Sequence, residues 1–167
     1  MNDRLTEKDI KKMEEEIEHR KLVIRKEALE QVKEARAQGD LSENFEYYAA
    51  KKYKNQNESR IRYLERMIKT ATIIEDDTKD DEIGLNKTVE VLFVEDETVE
   101  KYKLVTTVRN NPLKGLISIE SPIAKALIGH KAGDTVHVEV NAGFGYDVVI
   151  KSVENTEDDD SIELRKF

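Results

Sequence analysis

The chain has 167 residues, no cysteine and a net charge of −8, with charged and apolar residues each at 38 %. That excludes a disulfide framework and a thiolate metal site, and it leaves too little apolar material for one large core, so part of the molecule is expected to be elongated. The first residues, "MNDRLTEKDI", carry acids and no apolar run, and no stretch approaches the roughly 20 apolar residues that span a bilayer. Neither a signal peptide nor a membrane partner is expected, and the expected location is cytoplasmic.

The charge is unevenly spread. Residues 1–74 hold 17 basic and 15 acidic side chains, whereas residues 75–167 hold 11 and 21. Two regions with different jobs are expected. The acidic second region argues against broad phosphate-backbone binding there, because neutralising phosphates takes Lys and Arg.

From Leu5 to Gln38 there is neither Pro nor Gly. Ile10, Met13, Ile17, Ile24, Ala28, Val32 and Ala35 follow steps of three, four and seven, which place them on one helical stripe. The spacing predicts one helix of about 33 residues, roughly 50 Å long, with Gly39 as its C-terminal cap. A second stripe runs through Ala50, Tyr53, Asn57, Ile61, Leu64, Ile68 and Ala71, to about Thr72. Two long amphipathic helices with a very short connection must lie antiparallel, stripe on stripe. Asn57 either fixes register in the seam or faces water at its edge.

"EDDTKDDEIGLN" (75–86) is acidic and reads as a linker. Beyond it the period changes to two. Val89, Val91 and Phe93 alternate, residues 99–108 read as a strand, and "LISIE" (116–120) as a further short one. In "SPIAKALIG" Ser121 is the expected N-cap, Pro122 the first helical residue and Gly129 the stop. "TVHVEV" and "YDVVIKSVE" alternate on either side of "NAGFG", a hairpin connection. The expected fold is α+β: a long antiparallel helical hairpin (coiled coil) over 1–76, then an antiparallel sheet with one short helix over 77–167. The last residues, "NTEDDDSIELRKF", show no period and read as an acidic tail.

The break between the helices, "QGDLSENFEYY" (38–48), holds the candidate chemistry. Asp40 as N-cap and Glu43 three residues later make a capping box for the second helix. Capping leaves unexplained why the tip of a rod also carries Leu41, Phe45, Tyr47 and Tyr48, flanked by Arg36, Lys51 and Lys52. An acidic tip on a stalk suits reaching into something narrow. Two carboxylates are a poor all-protein site for Mg²⁺ but suit one completed by another macromolecule and by phosphate oxygens. His19, His130 and His137 read as solvated or turn residues. No Ser, His and Asp set and no glycine-rich phosphate loop is present.

"EARAQGDLSENFEYYAAKK" resembles the hairpin-tip signature of the bacterial Gre transcript-cleavage factors, GreA and GreB. "LISIESPIAKALIGHKAGD" is similar to the family's C-terminal segment around its short Ser-Pro helix. The resemblance spans roughly residues 5–154. It implies an FKBP-like C-terminal domain that docks on bacterial RNA polymerase, here through the segment of Ser121, Pro122 and Ile123, and a hairpin that enters the polymerase's secondary channel. It implies that Asp40 and Glu43 help to hold a second Mg²⁺, shared with the polymerase and not bound tightly by this chain, for hydrolysis of the backtracked RNA 3′ end. Arg36, Lys51 and Tyr47 fall at positions expected to contact that RNA or the polymerase. The implied role is a cofactor of the polymerase's own cleavage reaction, with no small-molecule substrate, rather than a free-standing nuclease. Phe45 and Tyr48 depart from the Ala and His frequent at those positions. Three other readings compete: a channel binder that regulates or inhibits without cleavage, a prolyl isomerase suggested by fold alone, and a coiled-coil chaperone.

Overall fold

The computed structural model describes residues 3–38, 44–157, 159 and 161–166. Its contacts divide the chain into two compact units, Glu7–Thr72 and the combination of Arg4–Thr6 with Ile73–Lys166.

The first unit is helical. Its first stretch is not one continuous α-helix: α1 (Glu7–His19) and α2 (Arg25–Ala37) are joined by a π turn over Arg20–Ile24. In that turn the Arg25 N–H donates to the Arg20 carbonyl, one residue further than in an α-helix. The same carbonyl accepts from Asn57 Nδ2 at 3.2 Å. A polar side chain meeting the backbone ladder is a recognised cause of such a turn. The partner helix, α3 (Phe45–Thr70), runs antiparallel: Asn44 meets Ala35, Arg25 meets Glu58 and Arg60 meets Glu16. Both predicted stripes are the buried or half-buried faces except at Tyr53, which is exposed. Met13, Ala28 and Ala35 are buried on α1 and α2, as are Ala50, Ile61 and Leu64 on α3.

Asn57 is buried in the seam. Its Oδ1 accepts from Arg20 Nη1 at 3.0 Å while its amide donates to the Arg20 carbonyl, which decides between the two readings of this residue in favour of register. Glu16 sits beside it. Its Oε2 accepts from Arg20 Nε and from Arg60 Nε, each at 2.8 Å, and Arg60 Nη2 reaches Oε1 at 3.3 Å. Burial pushes the Glu16 carboxyl up, but the two arginine hydrogen bonds and charges outweigh it and hold the group below its usual range.

The second unit is a five-stranded sheet with one short helix. Arg4–Leu5 (β1) belongs to this unit, where Ile74 N–H donates to the Leu5 carbonyl at 2.8 Å. Leu5 is fully buried as a strand residue rather than opening the helix. After Thr72–Ile73 (β2) come β3 (Lys87–Phe93), β4 (Thr98–Val105), β5 (Leu116–Ser118), α4 (Pro122–Leu127), β6 (Thr135–Asn141) and β7 (Phe144–Asn155). The strand order is β5-β4-β3-β7-β6. All pairs are antiparallel except β4 with β5, so the sheet is mixed. Alternate residues Val89 and Val91 of β3, Val136 and Val138 of β6, and Val148 and Ile150 of β7 enter one core with Leu104, Ile117, Ala124 and Leu127. The β6–β7 hairpin turns at "AG", where Gly143 has φ +77°, a left-handed conformation that side chains resist.

Two segments differ from expectation. Residues 99–108 do not form one strand: β4 ends at Val105 and a 3₁₀ turn takes Thr107–Arg109. Residues 83–86 are not linker, because Ile83 and Leu85 are buried in the sheet core, and a Cβ on Gly84 would stand 2.3 Å from Thr78 Oγ1. The acidic tail also returns to the sheet. Lys103 Nζ donates to the Glu157 carbonyl at 2.6 Å, Arg109 Nη1 to the Asp159 carbonyl at 3.1 Å, and Arg165 N–H to the Val108 carbonyl at 2.5 Å.

Candidate functional site

Arg36, Asn44 and Tyr47 tie the last turn of α2 to the start of α3. Asn44 caps α3: its Oδ1 accepts from Tyr47 N–H at 3.0 Å. The same amide donates from Nδ2 to the Ala35 carbonyl at 2.6 Å, which ties the start of α3 to the last turn of α2. A single residue therefore satisfies an orphan donor of one helix and an orphan acceptor of the other. This corrects the expected capping box of Asp40 and Glu43, since α3 begins at Phe45 with Asn44 before it. Gly39, Asp40, Leu41 and Glu43 lie outside the described residues. Among the described residues no three His, Asp or Glu side chains gather as a metal site.

Arg36, from the last turn of α2, lies against Tyr47 on the first turn of α3. Its Nη2 donates to the Tyr47 hydroxyl at 3.4 Å, and its guanidinium carbon is 5.6 Å from the ring centre. That hydrogen bond holds the Tyr47 phenol below the usual tyrosine range; desolvation opposes it, and the charges of Arg36, Lys51 and Lys54 add to it. The structure thus brings Arg36 onto Tyr47, and Lys51, one turn further along α3, adds its charge. Tyr48 stands edge-on to Tyr47, with ring centres 5.6 Å apart. Phe45 is 86 % exposed and Tyr48 52 %. Sequence reading named neither Asn44 nor Lys54. An Asn directly before an aromatic helical turn is a legible cap signal, whereas Lys54 bears on Tyr47 through its charge alone.

Ser121, Pro122 and Ile123 belong to the second unit. Ser121 Oγ accepts from Ala124 N–H at 3.3 Å and its hydroxyl donates to the Ser118 carbonyl at 2.7 Å, so the serine both caps α4 and anchors it to β5. Pro122 opens the helix and is exposed, while Ile123 packs against the core from its edge. The histidines carry no site: His130 Nδ1 meets Asp134 at 3.2 Å and His137 Nδ1 meets Asp147 at 2.8 Å, both on exposed surface. No helix among the described residues is long and apolar enough to cross a membrane.

Two family models match the chain. "Transcription elongation factor, N-terminal" matches residues 4–73, and "Transcription elongation factor, GreA/GreB, C-term" matches residues 77–155. The chain is 48 % identical over 143 residues to transcription elongation factor GreA of Caldanaerobacter subterraneus subsp. tengcongensis, covering 83 % of this chain and 89 % of that protein. It is 42 % identical over 151 residues to GreA of Mesoplasma florum, covering 89 % and 96 %. Among solved structures it is similar to the GreA factor homolog 1 (Gfh1) protein of Thermus thermophilus, with a TM-score of 0.43 and 24 % identity over 93 % of this chain and all of that one.

Proposed function

The chain belongs to the GreA/GreB family of transcription elongation factors, and on that premise we propose that it is a cofactor of bacterial RNA polymerase that stimulates cleavage of a backtracked RNA 3′ end. In this reading the hairpin, residues 1–76, enters the secondary channel, and residues 77–167 dock at its rim through the segment of Ser121, Pro122 and Ile123. The observation that carries the reading is the family match through both regions with the acid pair of "GDLSEN" intact. The cations Arg36 and Lys51 near Tyr47 support it, since such charges suit an RNA backbone.

Asp40 and Glu43 supply hard oxygen ligands, which fit Mg²⁺ in kind, and two are too few to hold it alone, so polymerase and phosphate oxygens complete the set. When bound, the ion supplies an activated water for attack on a phosphodiester. The role of the chain is delivery: acids carried by a rigid hairpin are better placed than acids on a free loop, and Arg36 and Lys51 attract the RNA.

The test is Asp40→Asn combined with Glu43→Gln, assayed on purified backtracked polymerase. Since Asn44 caps α3, helix stability should change by less than about 1 kcal/mol. The variant is expected to compete with the unaltered chain for polymerase and to lose cleavage stimulation. Cleavage as fast as that of the unaltered chain would reduce the acids to structure. Binding by the unaltered chain with no stimulation would make it a channel-binding regulator.

A further inference from the structure

The buried stripe of α3 passes through Ala50, Asn57 and Ile61. At 100° per residue, the opposite face near the helix start carries Phe45, Tyr48, Lys52 and Asn55, with Lys51 on its flank beside Tyr48, all exposed. This face holds two aromatic rings and one cation, with a second cation on its flank, and no acid; Glu46 lies near the buried stripe, and Glu58 lies on the Lys51 flank two turns further along the helix. A phenylalanine left 86 % exposed on the first turn of a helix gains nothing from the hairpin's own core. Exposed rings set beside lysines are the chemistry of single-stranded nucleic acid binding: the flat face takes a base of any identity, and the cations take the flanking phosphates. A purely apolar protein wall would account for the rings but not for the lysines interleaved with them.

We propose that Phe45 and Tyr48 form a stacking platform for an unpaired base of the extruded RNA, with Lys51 and Lys52 holding the adjoining phosphates. This rests on the reading of the hairpin as a visitor to a backtracked polymerase and adds a base-holding subsite to it. The platform positions RNA; it takes no part in bond breaking. Because stacking ignores base identity, it limits how far the RNA slides past the tip without selecting a sequence.

The test uses polymerase complexes backtracked on RNA with 2-aminopurine at each extruded position in turn, a base whose fluorescence falls on stacking. With Mg²⁺ chelated, so that no RNA is cut, the full chain should quench the signal at one or two positions. Phe45→Leu with Tyr48→Leu keeps apolar bulk without rings and should lose that quenching, while Phe45→Trp should keep it. Affinity for polymerase, measured by competition with labelled unaltered chain, should stay within about twofold, and restored Mg²⁺ should show cleavage slowed roughly tenfold in the double variant. Equal quenching by the unaltered chain and the leucine variant overturns the platform even if both stimulate cleavage. A large loss of polymerase affinity with quenching unchanged at saturation also overturns it and assigns the face to a protein wall. Quenching without any cleavage by the unaltered chain sustains the platform and removes the cleavage reading.

Discussion

The two units hold their shape by different means. In the helical unit the buried apolar residues are few and often small, three of them alanines, and the seam's centre is polar: Asn57 and Arg60 are buried there with Glu16 close by. In the sheet unit branched aliphatic residues from β3, β4, β6 and β7 fill one continuous core. An apolar core is non-directional and stabilises in proportion to buried area. A hydrogen-bonded polar seam adds little net stability but tolerates only one alignment, since any slip leaves buried polar groups unpaired.

The largest expected effect attacks the core. Leu104→Ala should cost the sheet unit about 2–5 kcal/mol. Hydrogen exchange should then show the amides of β3, β4 and β7 losing protection while those of α1 to α3 keep theirs; equal loss in both would mean that the units unfold together.

The seam predicts a smaller and more selective response. Asn57→Ala should cost about 1–3 kcal/mol, because Arg20 loses an acceptor that nothing replaces. Asn57→Leu should stay within about 1 kcal/mol of the unaltered chain or exceed it, yet loosen register, read as faster exchange of the Arg25 amide in the π turn. If both variants behave alike, the seam is only a packing surface.

Acid should separate the units further. The Glu16 carboxyl is held below its unfolded value, so its contribution is complete above the ordinary carboxylate pKa and is lost as pH falls through the lowered one. Helical signal should therefore weaken on acidification below that ordinary range, and Glu16→Gln should flatten this part of the profile. The smallest effect belongs to Lys21, whose pair with Glu65 at 2.6 Å is almost half exposed on both sides. Lys21→Ala should shift stability by less than about 1 kcal/mol, and by less still in high salt.

Much of this architecture was legible in local pattern. The helical stripes, the two-residue period from Val89 onward and the Ser121–Pro122 start of α4 each depend on neighbours in the chain, and each appears where the spacing put it, apart from exposed Tyr53 and the early end of β4 at Val105. Arg36 and Tyr47 do meet, because the ends of the antiparallel helices lie side by side, and Lys51 follows Tyr47 one turn along α3. Asp40 and Asn44 satisfy the same local capping rule, and the bonds from Tyr47 N–H and to the Ala35 carbonyl across the seam place the cap at Asn44.

By itself the sequence determined that a polar helical hairpin precedes a small sheet, because periodicity reports which face of an element must leave water. Only the tertiary structure decided the rest. Ile83 and Leu85 sit in an acidic stretch too short to show a period, and they are buried because the sheet offers them a pocket. The tail shows no pattern because its anchors are main-chain carbonyls, met by Lys103 and Arg109 from distant parts of the chain. The π turn exists where an asparagine 37 residues away reaches the Arg20 carbonyl. Partners separated that far along the chain leave no local signature, since what selects them is the geometry of the folded unit.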